Sequence, residues 1–301
     1  MAVATPRPYT VSTEYVSSRH RTWLALCKFV RTQPLGTAGA AVIICMVLAA
    51  VLADFIVPYD AYELQQSLQF KGPSLMHWLG TDEFGRDVLT RLIYGARIAL
   101  LIGLVSSLIG STCGAILGVV SAYLGGKTDL WLQRVMDVLL SFPLLILALA
   151  IVTVLGRSVP NLILAIAIPI MPRTARIVRS SALSAKENVY VEAARAVGSS
   201  HVGIMFNHIV PNIMAPYLII LTAQLGSAIL TEASLSFLGL GTAEPTPSWG
   251  LMLSGGAPMY AEKAPWLAIF PGLAISLAVF GFNLFGDSLR DALDPKLRHR
   301  S

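Results

Sequence analysis

Four stretches of this 301-residue chain hold residues whose types and spacing suit chemistry. Gly126-Lys127-Thr128 copies the end of a phosphate-cradling loop, and Leu253-Ser254-Gly255-Gly256 copies the opening of a nucleotide-hydrolysis signature. Asp82, Glu83 and Asp87 cluster as the acids of a calcium loop do, and Glu192 and Arg195 stand in the alanine-rich run Val191-Glu192-Ala193-Ala194-Arg195-Ala196-Val197-Gly198. Context removes the first three. A phosphate loop needs a glycine five residues before Gly126, where Ser121 stands, and it follows a strand rather than an apolar helix. The Leu-Ser-Gly-Gly copy falls on the outer side of the membrane, and the acids lack the alternating ligand positions and terminal bidentate Glu of a calcium loop. The five His and three Cys show no metal spacing, and no Ser, His, Asp or Cys grouping forms a catalytic constellation. The chain therefore reads as non-enzymatic, with no catalytic, cofactor-binding or metal-binding residues of its own, and its candidate site is the island around Glu192.

What must position that island is a membrane bundle. The chain is 55% hydrophobic and only 13% charged, against roughly a quarter charged in an ordinary soluble domain. Six apolar runs, at 34–57, 96–124, 132–155, 159–180, 212–238 and 265–287, each approach or exceed the roughly 20 residues that a spanning helix needs. Taking alternate sides, sixteen basic residues gather in the N-terminal tail, the turn at 125–134, the segment 173–210 and the C-terminal tail. Six remain opposite: Lys71, Arg86, Arg91, Arg97, Arg157 and Lys263. The positive-inside rule places both termini and the island in the cytosol. No basic cluster interleaved with aromatics supports nucleic-acid binding. Between Arg19 and Gln33, Trp23, Leu26, Cys27 and Val30 recur at helical spacing, which fits an interfacial helix; a basic tail without structure is the alternative.

Along the second run Gly103, Ser107, Gly110, Gly114, Gly118 and Ala122 form a small-residue face suited to close helix approach, either within the subunit or at a dimer seam. Pro143 should kink the third run, and Pro169 and Pro172 should interrupt the fourth. Beyond them Arg173, Arg176 and Arg179 either snorkel to the inner surface or meet a cytosolic partner. Glu232, Asn283 and Asp287 are polar where polarity is costly, so each expects a hydrogen-bond partner inside or at the edge of the bundle, or else a substrate.

Outside the membrane, residues 58–95 and 239–264 exceed what a connector needs. Gly80 and Gly85 mark turns, Asp87 can cap a helix continuing into the second span, and Pro245 to Trp249 form a rigid turn with Trp249 at interface depth. In the island, residues 188–197 suit a short helix with Gly198 as its left-handed stop, and Ser199 or Ser200 can cap a second helix running to Pro211. Ala193, Ala194 and Ala196 keep the surface narrow, and Arg195 can pair with Glu192 or with a partner. This describes a projection built to enter a groove, or an ordinary amphipathic loop.

Glu192-Ala193-Ala194, Gly198 and Ile209-Val210-Pro211 resemble the EAA motif of bacterial ABC importer permeases, with His208 and Val210 as departures from its usual Ile and Leu. The longer segments Leu79-Gly80-Thr81-Asp82, Gly85-Arg86-Asp87-Val88-Leu89, Pro245-Thr246-Pro247-Ser248-Trp249-Gly250 and residues 283–295 are similar to the C-type permease subunit of dipeptide, oligopeptide and nickel importers. That resemblance covers nearly the whole chain after residue 30. It implies an all-α, six-helix type I importer permease with both termini inside, in a bacterial cytoplasmic membrane. The expected layout is a cytoplasmic tail at 1–33, a first helix with a periplasmic segment at 34–95, a five-helix core at 96–287 containing the coupling segment 187–211, and a tail at 288–301. It implies a homologous permease partner, two cytosolic ATP-binding subunits that hold ATP and Mg, an extracytoplasmic binding protein and surrounding membrane lipid. The ATPase-coupling residues would be Glu192, Ala193, Ala194, Arg195, Gly198 and Pro211, and Asp82, Arg86, Asp87 and Trp249 would serve binding-protein docking. The implied cargo is di- or oligopeptides, with nickel chelates or glutathione-like ligands as the alternative; an ATP-independent carrier is the more distant reading.

Overall fold

Lipid offers no partner to a backbone N–H or C=O, so apolar runs of these lengths must satisfy their own hydrogen bonds as helices. In the computed structural model residues 30–260 and 262–293 are described, with 256–259 by backbone alone. Most of the expected interfacial helix, including Trp23, Leu26 and Cys27, and the tail cations Lys296, Arg298 and Arg300 lie outside the described residues. Every regular element among the described residues is helical, besides an isolated bridge between Thr81 and Asp87.

The elements are α1 (Pro34–Val51), α2 (Ala53–Ile56), α3 (Val88–Leu124), α4 (Gly126–Leu140), α5 (Leu144–Leu155), α6 (Val159–Lys186), α7 (Val189–Ala196), α8 (His201–Ile204), α9 (Val210–Phe237), α10 (Trp249–Tyr260) and α11 (Trp266–Leu293). A π-helical turn, Met205–Ile209, joins α8 to α9. Five helical stretches are long and apolar enough to cross a membrane, and six do so when α4 and α5 count as one broken span.

Three expectations need correction. The third run is not one kinked helix, because α4 and α5 meet at 91° across Ser141-Phe142-Pro143. Pro143 takes extended backbone ahead of α5, where its missing N–H is not needed, and α4 turns aside. The fourth run is unbroken through Pro169 and Pro172, both buried, since neighbouring helices can re-satisfy the freed backbone groups. The second island helix does not end at Pro211. It widens into the π-turn, with Val210 N–H reaching Met205 O, and continues into α9 with Pro211 in the first turn. The wider turn falls just where a proline ring would crowd an α-helical ladder.

The small-residue face of α3 is an internal seam, which decides between the two readings of it. A Cβ at Gly110 would stand 2.5 Å from Ala167 O, one at Gly118 2.5 Å from Ala175 O, and one at Gly114 against Met171 O. The steady offset makes α3 and α6 parallel neighbours in backbone contact. A Cβ at Gly103 would stand 2.6 Å from the Ile229 side chain, which packs α9 on the other flank. Ile102, Ile166, Ile170 and Ala228 fill the middle of this three-helix core. α1 packs on α11 where Gly39 faces the Gly281 carbonyl.

Gly110→Val drives a branched side chain into the α6 backbone and should cost about 1–3 kcal/mol. Gly272→Ala, with open space at its Cβ, serves as the control. Thermal unfolding in detergent should show a lower midpoint for the first and none for the second; equal midpoints would mean that the seam tolerates side chains.

Candidate functional site

The island folds as a rigid elbow at the inner ends of α6 and α9. Val191 and Ala194 of α7 are buried against Val178, Ala182, Ile204 and Ile209, so the helix is pinned along one face. Glu192, Ala193, Arg195, Ala196 and Gly198 point outward. Gly198 has φ +79°, with its N–H bonded to Arg195 O at 3.0 Å and Ser199 N–H to Ala194 O at 3.0 Å. This paired closure is the Schellman stop, and a side chain at Gly198 would be strained. Of the two candidate serines, Ser200 caps α8 by accepting Gly203 N–H at 3.1 Å. Pro211 is exposed one turn beyond.

Glu192 meets no cation within ion-pair reach among the described residues. Arg195 instead lies over the Tyr123 ring, its guanidinium carbon 5.6 Å from the centroid. Tyr123, buried at the inner end of α3, also shares a 2.9 Å hydrogen bond with His201 Nδ1. Lys186 donates to Ala122 O at 3.0 Å and Tyr123 O at 2.8 Å, closing the α3 C-terminus. Reading the sequence alone missed this clasp, because Tyr123 is 78 residues from His201 and carries no motif. The elbow leaves Val189, Val197, Val202 and Phe206 exposed along with Glu192 and Arg195.

Of the three arginines on α6, Arg176 pairs with Asp137 and Arg179 makes a two-pronged pair with Asp129 at 2.5 and 2.6 Å. Both acids lie on α4, so these cations strut the chain internally, and Arg173 is left exposed.

The outer cap is a second built assembly. Asp87 caps α3, accepting Thr90 N–H at 2.8 Å, and its other oxygen meets His77 Nδ1 at 2.9 Å. Asp82 accepts Arg86 Nε at 2.6 Å, and Arg86 reaches Glu244 Oε2 at 3.0 Å. Arg91, 1% exposed, donates to Ala61 O and Pro245 O at 3.2 and 3.3 Å. Burial lifts the Glu83 carboxyl above the ordinary range, and neighbouring Asp82 and Glu244 add to it against the pull of Arg86. Trp249 is buried rather than at an interface, donating to Leu92 O at 2.8 Å, and Glu232 accepts from Ser236 and Ser248 at 2.7 and 3.0 Å. Asp82, Arg86, Asp87 and Trp249 thus all face inward, so an outer partner would meet the loops that they brace. Asn283 and Asp287 are exposed on α11, at the edge of the bundle rather than in its interior.

Two outcomes follow from these assemblies. Arg91→Leu leaves Ala61 O and Pro245 O without their donor and removes a buried cation beside Asp82 and Glu244, and should cost about 1–3 kcal/mol in thermal unfolding; an unchanged midpoint would mean that the network does not brace the cap. Tyr123→Phe loses one hydrogen bond, about 0.5–1.5 kcal/mol, and amide exchange over 189–209 should accelerate while α3 stays protected.

Comparison with known proteins agrees with this architecture. Residues 110–299 match the model of the binding-protein-dependent transport system inner membrane component, and residues 23–73 match the N-terminal transmembrane domain of oligopeptide transport permease C. The chain is 40% identical over 294 residues to the dipeptide transport system permease protein of Alkalihalophilus pseudofirmus, covering 98% of this chain and 96% of that one. It is 42% identical over 278 residues to the glutathione transport system permease protein of Escherichia coli O6:K15:H31, covering 92% and 91%. A matched core of this extent means that the chain belongs to the binding-protein-dependent transport system inner membrane components, a family of transport permeases rather than enzymes.

Proposed function

We propose that this chain forms half of the translocation pathway of an ATP-driven importer of di- and oligopeptides, paired with a homologous permease and seated on two cytosolic ATPase subunits. ATP and Mg belong to those subunits, and cargo arrives on an extracytoplasmic binding protein. The observation that carries the reading is the elbow: a packed projection with Glu192 and several apolar side chains exposed, rooted in α6 on one side and α9 on the other. Such a shape suits a cleft on a partner, and closure of the ATPases would push it as a lever. Alternating access requires a rigid element of this kind. Glu192 sets registry by charge, Ala193 and Ala194 allow close seating, Arg195 is held against Tyr123, and Gly198 and Pro211 fix the two bends. The family's binding-protein dependence favours this over a self-sufficient carrier.

Cargo chemistry follows the relatives. Dipeptide and glutathione carriers at similar identity both handle short peptides, so a glutathione-like peptide is the second reading.

The double variant Glu192→Lys with Gly198→Val should reach the membrane at normal level, yet lose at least tenfold in peptide uptake and in binding-protein-stimulated ATP hydrolysis. Wild-type uptake by that variant would remove the coupling role. Peptide uptake by the purified chain alone, without ATP, would contradict the importer reading as a whole.

A further inference from the structure

Helix α4 carries a stripe that the bundle does not use. Lys127, Trp131, Arg134 and Val138 follow one another at spacings of four, three and four residues, which sets them on one face of the helix. All four are exposed, Trp131 at 69%. The far side of α4 is the packed one. Met136 is buried there, Gln133 donates to Ser121 at 2.9 Å, and Asp129 takes the two-pronged Arg179 pair. Lys127 has no ion pair among the described residues, and Arg134 reaches only Asp137 at 3.8 Å, an acid that Arg176 already holds. The stripe is thus two cations with a tryptophan between them, turned away from the protein.

The struts to α6 fix where this stripe lies. Arg176 and Arg179 are three residues apart on α6, about 4.5 Å along its axis, whereas their partners Asp137 and Asp129 are eight apart on α4, about 12 Å. Helix α4 therefore runs across α6, close to the membrane plane, as its 91° angle to α5 requires. Ser121, which meets both Asp129 and Gln133, stands 24 residues along α3 from Arg97. That is about 36 Å, or about 28 Å if the helix tilts by 40°, against a hydrocarbon core of about 30 Å. With the partly exposed Arg97–Asp54 pair at the outer rim, α4 falls in the inner headgroup layer. Seven further residues of α6, about 10 Å, separate Arg179 from the helix end that leads into the elbow. The stripe thus sits on the flank of α6, nearer the bilayer than the surface offered to an ATPase.

At that depth the abundant anion is lipid phosphate. A homologous permease would bring cations of its own to the inner surface by the positive-inside rule, and the stripe would meet like charge there. A helix lying in the plane with Lys, Arg and Trp on its free face is built as an interfacial lipid contact. We propose that Lys127 and Arg134, with Trp131 between them, bind anionic phospholipid headgroups of the inner leaflet and so anchor α4 beside the bundle. The proposal goes beyond the importer reading and holds whichever cargo is carried.

The test uses the whole complex in phosphatidylcholine discs doped with brominated lipid, Trp131→Phe serving to subtract the other tryptophans. Brominated phosphatidylglycerol should quench Trp131 about fivefold more than brominated phosphatidylcholine at the same fraction, the preference that one surface cation gives. High salt should shrink that difference in the wild type. Lys127→Gln with Arg134→Gln should abolish it, and Lys127→Arg with Arg134→Lys should keep it. A photoreactive residue at position 138 should cross-link lipid, which keeps the question decidable if the uncharged variant fails to assemble. Equal quenching by the two lipids in the wild type, a preference that survives loss of both cations, or cross-linking of position 138 to the partner permease or an ATPase alone would each overturn the anchor.

Discussion

Carbonyl oxygens of Ala167, Met171 and Ala175 occupy the space that side chains on α3 would need at Gly110, Gly114 and Gly118. In lipid no hydrophobic driving force pushes two helices together, so their association depends on how closely the backbones can approach. This seam makes α3 and α6 move as one body. Everything that α6 carries at its inner end, the elbow included, inherits that rigidity. Tyr123 extends the coupling by one more contact, because this residue in the last turn of α3 also clasps His201 and Arg195. A force applied at Glu192 therefore has little local flexibility in which to dissipate.

The two ends of the bundle use charge differently. At the inner surface the Arg176–Asp137 pair is half in water, where ion pairs contribute little and exchange partners easily. Helix α4 is held instead through Asp129, whose two-pronged pair with Arg179 is largely covered. In the outer cap Asp82, Arg86 and Arg91 are buried together, and a buried network of this kind holds only when complete. The cap behaves as a fixed platform that joins residues 58–87 to residues 239–248, with Trp249 and Trp266 donating across the joint to Leu92 O and Thr81 O.

By itself the sequence determined the elements governed by local chemistry and by the membrane. Apolar length set the spans, the distribution of Lys and Arg set their orientation, Asp87 announced its cap, and Gly80, Gly85 and Gly198 announced their turns, all of which have positive φ. The island and the family were legible for the same reason, since short motifs carry short-range geometry. What only the tertiary structure decided depends on partners far apart in the chain. Prolines 169 and 172 looked like breaks, yet buried packing keeps α6 whole; Pro143 looked like a kink, yet it begins a new helix. Whether glycines 110 to 118 faced a neighbour or another subunit could not be settled without knowing that α6 runs beside them. The inward aim of Asp82 and Arg86 reverses what polarity suggests, because burial is set by the helices and loops that converge on a residue and not by its own side chain alone.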